Sequence, residues 1–168
     1  MRSLLCAIAV ALAMVPMGRG AVAEDKKDNR LPDKAKAILD KADQVVLFSL
    51  EPDDRKKVKD GFHGWMILGQ TTIKGADTRS QILTALYEGI AKSDGNGAKC
   101  FDPRHGIRAT ANGKTVDLVI CFECNWVYVY YDNDENRQHV AVTTREPQAV
   151  LDKTLKNAGV PLPKQAKD

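Results

Sequence analysis

The chain has 168 residues, with 25 Lys and Arg, 22 Asp and Glu, and a formal net charge of +3. Two of the basic residues, Arg2 and Arg19, lie in the first 23 residues, which contain no acid, so the rest of the chain carries 23 basic against 22 acidic residues. A balance this even gives no basic footprint for DNA or RNA, and it argues against a nucleic-acid partner.

The first 23 residues have the pattern of a secretory signal peptide. Arg2 provides a positive start, residues 4–17 form an apolar run, and residues 21–23 read Ala-Val-Ala, which is a cleavage site of the A-x-A type. The apolar run is shorter than the roughly 20 residues that span a bilayer, although an N-terminal anchor is the alternative. We therefore expect an exported protein, periplasmic or extracellular, with no membrane span after cleavage.

Beyond the signal peptide, the pattern predicts a polar leader at 24–30, one domain at 31–162 and a tail at 163–168. In chain order, the domain should contain a helix near 31–44, a strand at 45–50, a charged loop, and a strand at 64–73. A long helix follows from residue 76, then two strands around residues 112–113, a strand near 138–143, and a last helix starting near Pro147.

This order of elements predicts an α+β fold. We expect an antiparallel sheet of about five strands, arranged as a hairpin plus a meander, with the helices packed on one face. The order is not a βαβ alternation, and the chain lacks the glycine-rich nucleotide motifs, the nucleophile elbow and the zinc-protease motif. The sequence therefore predicts no cofactor.

The dipeptide Asn112-Gly113 is the strongest hairpin signal in the chain, because a type I′ turn needs a positive φ at both central residues. A two-residue turn there places Arg108 opposite Asp117 and Ala109 opposite Val116. Polar pairs then share one face of the hairpin and apolar pairs the other, which is what a correct register should give.

Three cysteines remain after cleavage, Cys100, Cys121 and Cys124. If the strand continues regularly from 115 to 131, Cys121 and Cys124 point to opposite faces and cannot form a small ring or bind one metal, unless the strand breaks near 123–125. A one-residue bulge at 102–103 would bring Cys100 opposite Cys124. Because export favours oxidation, we predict a Cys100–Cys124 disulfide with Cys121 free.

Other arrangements of the cysteines stay open. They are a Cys100–Cys121 disulfide, three free thiols, and a metal site that gathers Cys100, His105, Cys121 and Cys124. His105 lies on the apolar face in the predicted register, where a lone histidine is more often hydrogen-bonded packing than a metal ligand. No metal is therefore predicted.

Two further groups are candidates for function. Cys121 lies near Arg104 and Glu123 in the predicted ladder, and a neighbouring arginine can make a thiol reactive; the alternative is a half-exposed thiol without a role. Trp126, Tyr128 and Tyr130 share one face of a strand and could form a ligand platform, although such rings are more often ordinary sheet packing. The segment Phe-His-Gly-Trp at 62–65 allows the same two interpretations.

The block CFDPRHGIRATANGKTVDLVICFECNWVYVY, with FHGWMILGQTTI before it and TTREPQAVLDKTLKNAGVPL after it, resembles an uncharacterised family of small exported bacterial proteins. The resemblance covers most of the chain after residue 23 and implies export and a single domain, but no mechanism. Because the sequence shows no recognisable base–nucleophile pair, we expect a binding or interaction module for an unknown protein or small-molecule partner. The alternative is a thiol- or metal-dependent enzyme using Cys121 with Arg104, Glu123 or His105.

Overall fold

The computed structural model describes residues 30–52 and 58–164 of the chain. Its elements in chain order are α1 (Asp33–Asp40), β1 (Gln44–Leu50), β2 (Ile67–Thr72), α2 (Ala76–Lys92), β3 (His105–Ala111), β4 (Lys114–Cys121), β5 (Trp126–Tyr131), β6 (His139–Val142) and α3 (Gln148–Asn157). The predicted signal peptide and most of the leader lie outside the described residues.

The six strands form one antiparallel sheet in the order β2-β1-β3-β4-β5-β6. The fold is therefore α+β, with an antiparallel sheet as predicted. The strand count differs by one because the predicted long strand at 115–131 is two strands. β4 ends at Cys121, the chain turns through residues 122–125, and β5 returns beside β4.

The predicted hairpin register is confirmed. Arg108 lies opposite Asp117 and Ala109 opposite Val116. Asn112 and Gly113 have φ values of 49° and 74°, so both central residues of the turn occupy the left-handed region that a type I′ turn requires.

The helices pack on one face of the sheet. A single cluster joins apolar side chains of the three helices, such as Leu39, Leu86 and Leu151, to inward-facing strand residues such as Leu47 and Leu118. Each of these five side chains is fully buried, and burying a leucine contributes about 1.5–3 kcal/mol. This cluster is the main core. No helix in the described ranges is long and apolar enough to cross a membrane.

Loops cover the opposite face of the sheet. A second cluster there contains Phe48, Leu50, Phe62, Val119 and Tyr130, with Trp65 and Phe101 among the partly buried rings around it. We call this side of the sheet the loop-covered face. The candidate functional residues lie mainly on it, because the helices occupy the other side.

Candidate functional site

A tight turn places His63 on the loop-covered face. Phe62 and Trp65 form an isolated antiparallel bridge, with backbone N···O distances of 2.8 and 3.1 Å. Between them His63 has φ 50° and Gly64 has φ 85°, so both adopt the left-handed conformation. Glycine reaches this conformation without strain, whereas for a histidine it is uncommon and costs free energy. The residues around His63 hold it in this left-handed conformation.

Phe62 anchors this turn to the sheet. Its ring is buried and stacks on Phe48 with centroids 4.3 Å apart. Gly106 of β3 leaves the space that the ring fills, since a Cβ atom at that position would lie 2.6 Å from Cε1 of Phe62. The absence of a side chain at Gly106 therefore allows the turn to press against the sheet and bring His63 over it.

Asp117 of β4 is the centre of the polar network beneath this turn. Its side chain is 1% exposed. Nε and Nη2 of Arg108 donate to its two oxygens at 2.8 and 2.6 Å, and Nε2 of His63 lies 2.8 Å from Oδ2. An ionised carboxylate only accepts hydrogen bonds, so Nε2 of His63 carries the hydrogen.

The network keeps Asp117 ionised. Burial raises the pKa of this carboxyl, but the hydrogen bonds from Arg108 and His63 outweigh burial and hold the pKa below its ordinary value. The same contact favours the charged form of Arg108, because the hydrogen bond to Asp117 raises the pKa of the guanidinium. The result is a fixed guanidinium and imidazole pair that share one buried negative charge.

His63 and Arg108 line a cleft of about 740 Å³ that we call the His63 cleft. It lies between the loop that precedes β2 and the β5–β6 loop. The remaining lining residues are Val58, Lys59, Gly61, Gly64, Trp65, Asn133, Glu135 and Asn136. None of the described lining residues is Ser, Thr or Cys, so this part of the cleft offers no hydroxyl or thiol nucleophile. Its chemistry suits hydrogen bonding and charge recognition, with an indole ring as an apolar wall.

Of the aromatic candidates of β5, Tyr130 contacts this site through its ring, and Tyr128 contacts neighbouring loop residues. His63 stacks on Tyr130 with centroids 3.7 Å apart, and Phe101 stacks on Tyr128 at 3.6 Å. The guanidinium of Arg137 lies 4.2 Å from the centroid of the Tyr128 ring. These rings therefore hold loops against the sheet.

Trp126, the third aromatic candidate, also binds a loop. Its Nε1 donates to the carbonyl of Ala98 at 2.6 Å, and Gly97 packs closely on its ring.

The cysteine arrangement differs from the prediction. The structure joins Cys121 to Cys124, and among the cysteines in the described residues Cys100 is the free one. The predicted Cys100–Cys124 disulfide with a free Cys121 assumed a continuous strand. Instead the chain turns after Cys121, with Asn125 at φ 61°, and the Cα atoms of Cys121 and Cys124 come within 5.3 Å. The sulfur of Cys100 lies 2.7 Å from that of Cys124.

The catalytic candidates Arg104 and Glu123 form an ion pair at 3.2 Å. Arg104 is buried, and its Nη1 also donates to the carbonyl of Lys164 at 2.8 Å. Cys121, their proposed nucleophile, is bonded to Cys124 in this structure, so it is not a free thiolate here.

His105 lies away from the sulfurs. It is opposite Ile120 on the helix-covered face, is 1% exposed, and its Nε2 is 2.7 Å from Asp152 Oδ1. The four predicted metal candidates are therefore not gathered. Within the described ranges, no group of three or more His, Cys, Asp or Glu side chains is placed to hold a metal ion.

Sequence reasoning missed the role of His63 and Asp117 together. The register predicted the Arg108–Asp117 pair, but His63 is 54 residues from Asp117 in the chain, and no short-range pattern indicates that contact. The one available signal was His-Gly between two aromatic residues, which is compatible with a tight turn.

No protein-family model, no curated protein and no solved structure matches this chain.

Proposed function

We propose that the protein is an exported binding module and that the His63 cleft is its ligand site. The observation that carries the proposal is the pair His63 and Arg108, fixed by the buried Asp117 at the wall of a cleft of about 740 Å³. That volume lies within the range of about 300–1,000 Å³ that is typical of small-molecule sites. Prearranged polar groups reduce the entropy cost of binding.

The donors in the cleft favour a ligand with acceptor oxygens. Asp117 accepts one hydrogen each from Nε and Nη2 of Arg108, so the two hydrogens of Nη1 and the second hydrogen of Nη2 are left for a ligand. Asp117 likewise accepts the hydrogen bond of Nε2 of His63, so that nitrogen is not available to a ligand. Lys59 adds a positive charge, and Trp65 adds a flat apolar surface. We expect a small molecule that combines a carboxylate or other oxygen-rich group with an apolar face.

Binding is favoured over catalysis for a physical reason. Arg108 and Nε2 of His63 are hydrogen-bonded to Asp117, and the described lining contains no hydroxyl or thiol that His63 could activate. A nucleophile beside a base is the arrangement that covalent catalysis needs.

A ligand screen tests this proposal. Protein lacking residues 1–23 is mixed with a panel of small carboxylates, amino acids and saccharides, and the melting temperature is measured. A true ligand at 100 times its dissociation constant should stabilise the protein by about 2.7 kcal/mol. The protein contains two tryptophans, so Trp126→Phe leaves Trp65 as the only indole reporter. Its fluorescence should respond to the same ligand.

Matched lysine variants locate the effect. Lys59→Gln removes a positive charge from the cleft, so the affinity for an anionic ligand should fall by about 2- to 5-fold. Lys153→Gln makes the same change at an exposed position on α3, outside the cleft, and should leave the affinity unchanged. A panel without any stabilising compound, or a ligand that both variants bind equally, would count against the site.

The export part of the proposal has a separate test. The intact mass of protein purified from the envelope of an expressing bacterium should correspond to residues 24–168. A mass that retains residues 1–23 would refute cleavage at Ala23.

A further inference from the structure

Three sulfur atoms meet where β4 ends. Cys124 is bonded to Cys121, and the Sγ atom of Cys100 lies 2.7 Å from the Sγ atom of Cys124. Cys100 is exposed, whereas Cys121 and Cys124 are 1% and 0% exposed. A thiol that touches one sulfur of a disulfide is placed for thiol–disulfide exchange, in which a thiolate attacks that sulfur and displaces the other.

The contact between Cys100 and the disulfide is supported by the chain just before Cys100. The backbone N–H of Ala98 donates to the carbonyl of Cys124 at 3.0 Å. Trp126 binds the carbonyl of Ala98 from the other side of the turn, at 2.6 Å. The segment before Cys100 is therefore fixed to the 122–125 turn by two hydrogen bonds that do not involve sulfur.

The displaced sulfur also has a hydrogen-bond donor. The backbone N–H of Cys124 points to Sγ of Cys121 at 3.2 Å. A donor to sulfur stabilises the thiolate form, as it does for other anions. Negative charge that develops on Cys121 when its bond to Cys124 breaks is therefore met by an N–H group that is already in place.

We propose that Cys124 is the shared sulfur of two alternative disulfides and that the protein exchanges them internally. The thiolate of Cys100 attacks Sγ of Cys124 after its proton has passed to solvent. A Cys100–Cys124 bond forms, the Cys121–Cys124 bond breaks, and its electron pair leaves on the sulfur of Cys121, which takes a proton from solvent. One disulfide and one thiol are present before and after, so no oxidant or reductant is consumed.

The exchange changes which cysteine carries the free thiol and whether that thiol is exposed. With Cys121 bonded to Cys124, the free thiol is Cys100 at the surface. With Cys100 bonded to Cys124, the free thiol is Cys121, whose position is buried. The protein can thus present or withdraw a reactive thiol without net oxidation. This property is independent of ligand binding in the His63 cleft, because none of the three cysteines lines it.

Peptide mapping without reduction tests the proposal on protein lacking residues 1–23. Free thiols are blocked in denaturant, and the protein is then digested with trypsin and a protease that cleaves after glutamate. Cleavage at Lys99, Arg104 and Glu123 separates the three cysteines. We expect two linked species, Cys121–Cys124 and Cys100–Cys124. A Cys100–Cys121 species should be absent, since both exchange partners react through Cys124.

A trapping experiment distinguishes exchange from two static populations. Native protein is incubated with excess N-ethylmaleimide before denaturation. Alkylation of Cys100 should hold each molecule in the Cys121–Cys124 form, so the Cys100–Cys124 species should decline to near zero with time. A Cys100–Cys124 fraction that stays constant, a single disulfide throughout, a Cys100–Cys121 peptide, or three thiols with bound zinc would each overturn the proposal.

Single serine variants give a second, independent readout. Cys121→Ser should shift the protein fully to the Cys100–Cys124 disulfide, and Cys100→Ser should retain Cys121–Cys124. Cys124→Ser should contain two free thiols and no disulfide. Two free thiols in Cys121→Ser would contradict the proposal. The mapping and trapping use the unaltered protein, so they stand even where a variant folds poorly.

Discussion

Replacing Asp117 with asparagine will lower the free energy of unfolding by about 2–4 kcal/mol at pH 7. The carboxylate accepts two hydrogen bonds from Arg108 and one from His63 in a buried position. An asparagine amide would direct N–H groups at these donors and leave the guanidinium without its counter-charge. Arg108 is 37% exposed, and partial contact with water keeps the loss toward the lower part of the range. Urea denaturation measures the effect.

The loss of unfolding free energy caused by Asp117→Asn will depend on pH. The network lowers the folded-state pKa of Asp117 below the unfolded value of about 3.9, so its stabilisation is fully present above that value. It is lost as the pH falls through the folded-state pKa. The difference between wild type and Asp117→Asn should therefore narrow below about pH 4.

Glu88→Gln is the control for Asp117→Asn. Glu88 pairs with Lys92 at 3.7 Å on the exposed side of α2, and both side chains are more than half exposed. Removing this charge should leave the denaturation midpoint unchanged. Equal effects of the two substitutions, or no loss of stability in Asp117→Asn, would show that the buried network does not stabilise the fold.

Replacing Phe62 with alanine will lower the free energy of unfolding by about 3–5 kcal/mol. The ring is buried between Phe48 and the surface left open by Gly106, and truncation leaves a cavity where it stood. The total free energy of unfolding of a small domain is about 5–15 kcal/mol, so the expected loss is a large share of it. Phe62→Leu keeps most of the volume and should cost less than about 1.5 kcal/mol.

A substitution at Gly106 tests the position of the turn at residues 62–65 without removing the Phe62 ring. Gly106→Ala keeps Phe62 but places a Cβ atom where the ring lies, so the turn that holds His63 must move. The variant should lose about 1–3 kcal/mol and also lose the Trp65 fluorescence response to ligand. Gly75→Ala is the matched control, since the nearest atom to a Cβ there is 3.6 Å away. A cost below 1 kcal/mol for Phe62→Ala would contradict the proposed anchoring of the turn, given the range of about 3–5 kcal/mol expected above.

The part of the fold that was predictable from sequence rests on local signals. The dipeptide Asn112-Gly113 predicted a two-residue turn, and that turn determined the register of the hairpin. The register correctly placed Arg108 opposite Asp117. The helices followed from the 3.6-residue spacing of apolar side chains. These are short-range constraints, and a single sequence carries them directly.

The cysteine pairing in the structure differs from the predicted pairing because one turn was missed. Residues 115–131 are rich in β-forming side chains, so the pattern favours a single strand. Asn125 in the left-handed conformation is the main sign of the break, and asparagine tolerates that conformation better than most residues. Cys121 and Cys124 then lie on either side of a turn rather than on opposite faces of a strand. The disulfide ring they form is small, so the chain-entropy model assigns it about 2 kcal/mol, less than for a Cys100–Cys124 loop.

The candidate site was the least predictable feature. His63 reaches Asp117 only because Phe62 fills the space beside Gly106, and residues 62 and 63 are far in the chain from Gly106 and Asp117. Contacts of this kind depend on how a loop packs on a completed sheet, which hydrophobic periodicity does not encode.

Mapping the bound ligand on the protein tests the proposed site most directly. Isotope-labelled protein is titrated with the strongest compound of the panel, and the backbone amide signals are followed by nuclear magnetic resonance. The shifts should concentrate at His63, Gly64, Trp65, Arg108 and residues 133–136, and Lys59→Gln should weaken the titration while Lys153→Gln should not. Shifts centred instead on the groove between β2 and α3, near Lys74 and Lys153, or spread evenly over the sheet, would contradict the His63 cleft as the ligand site.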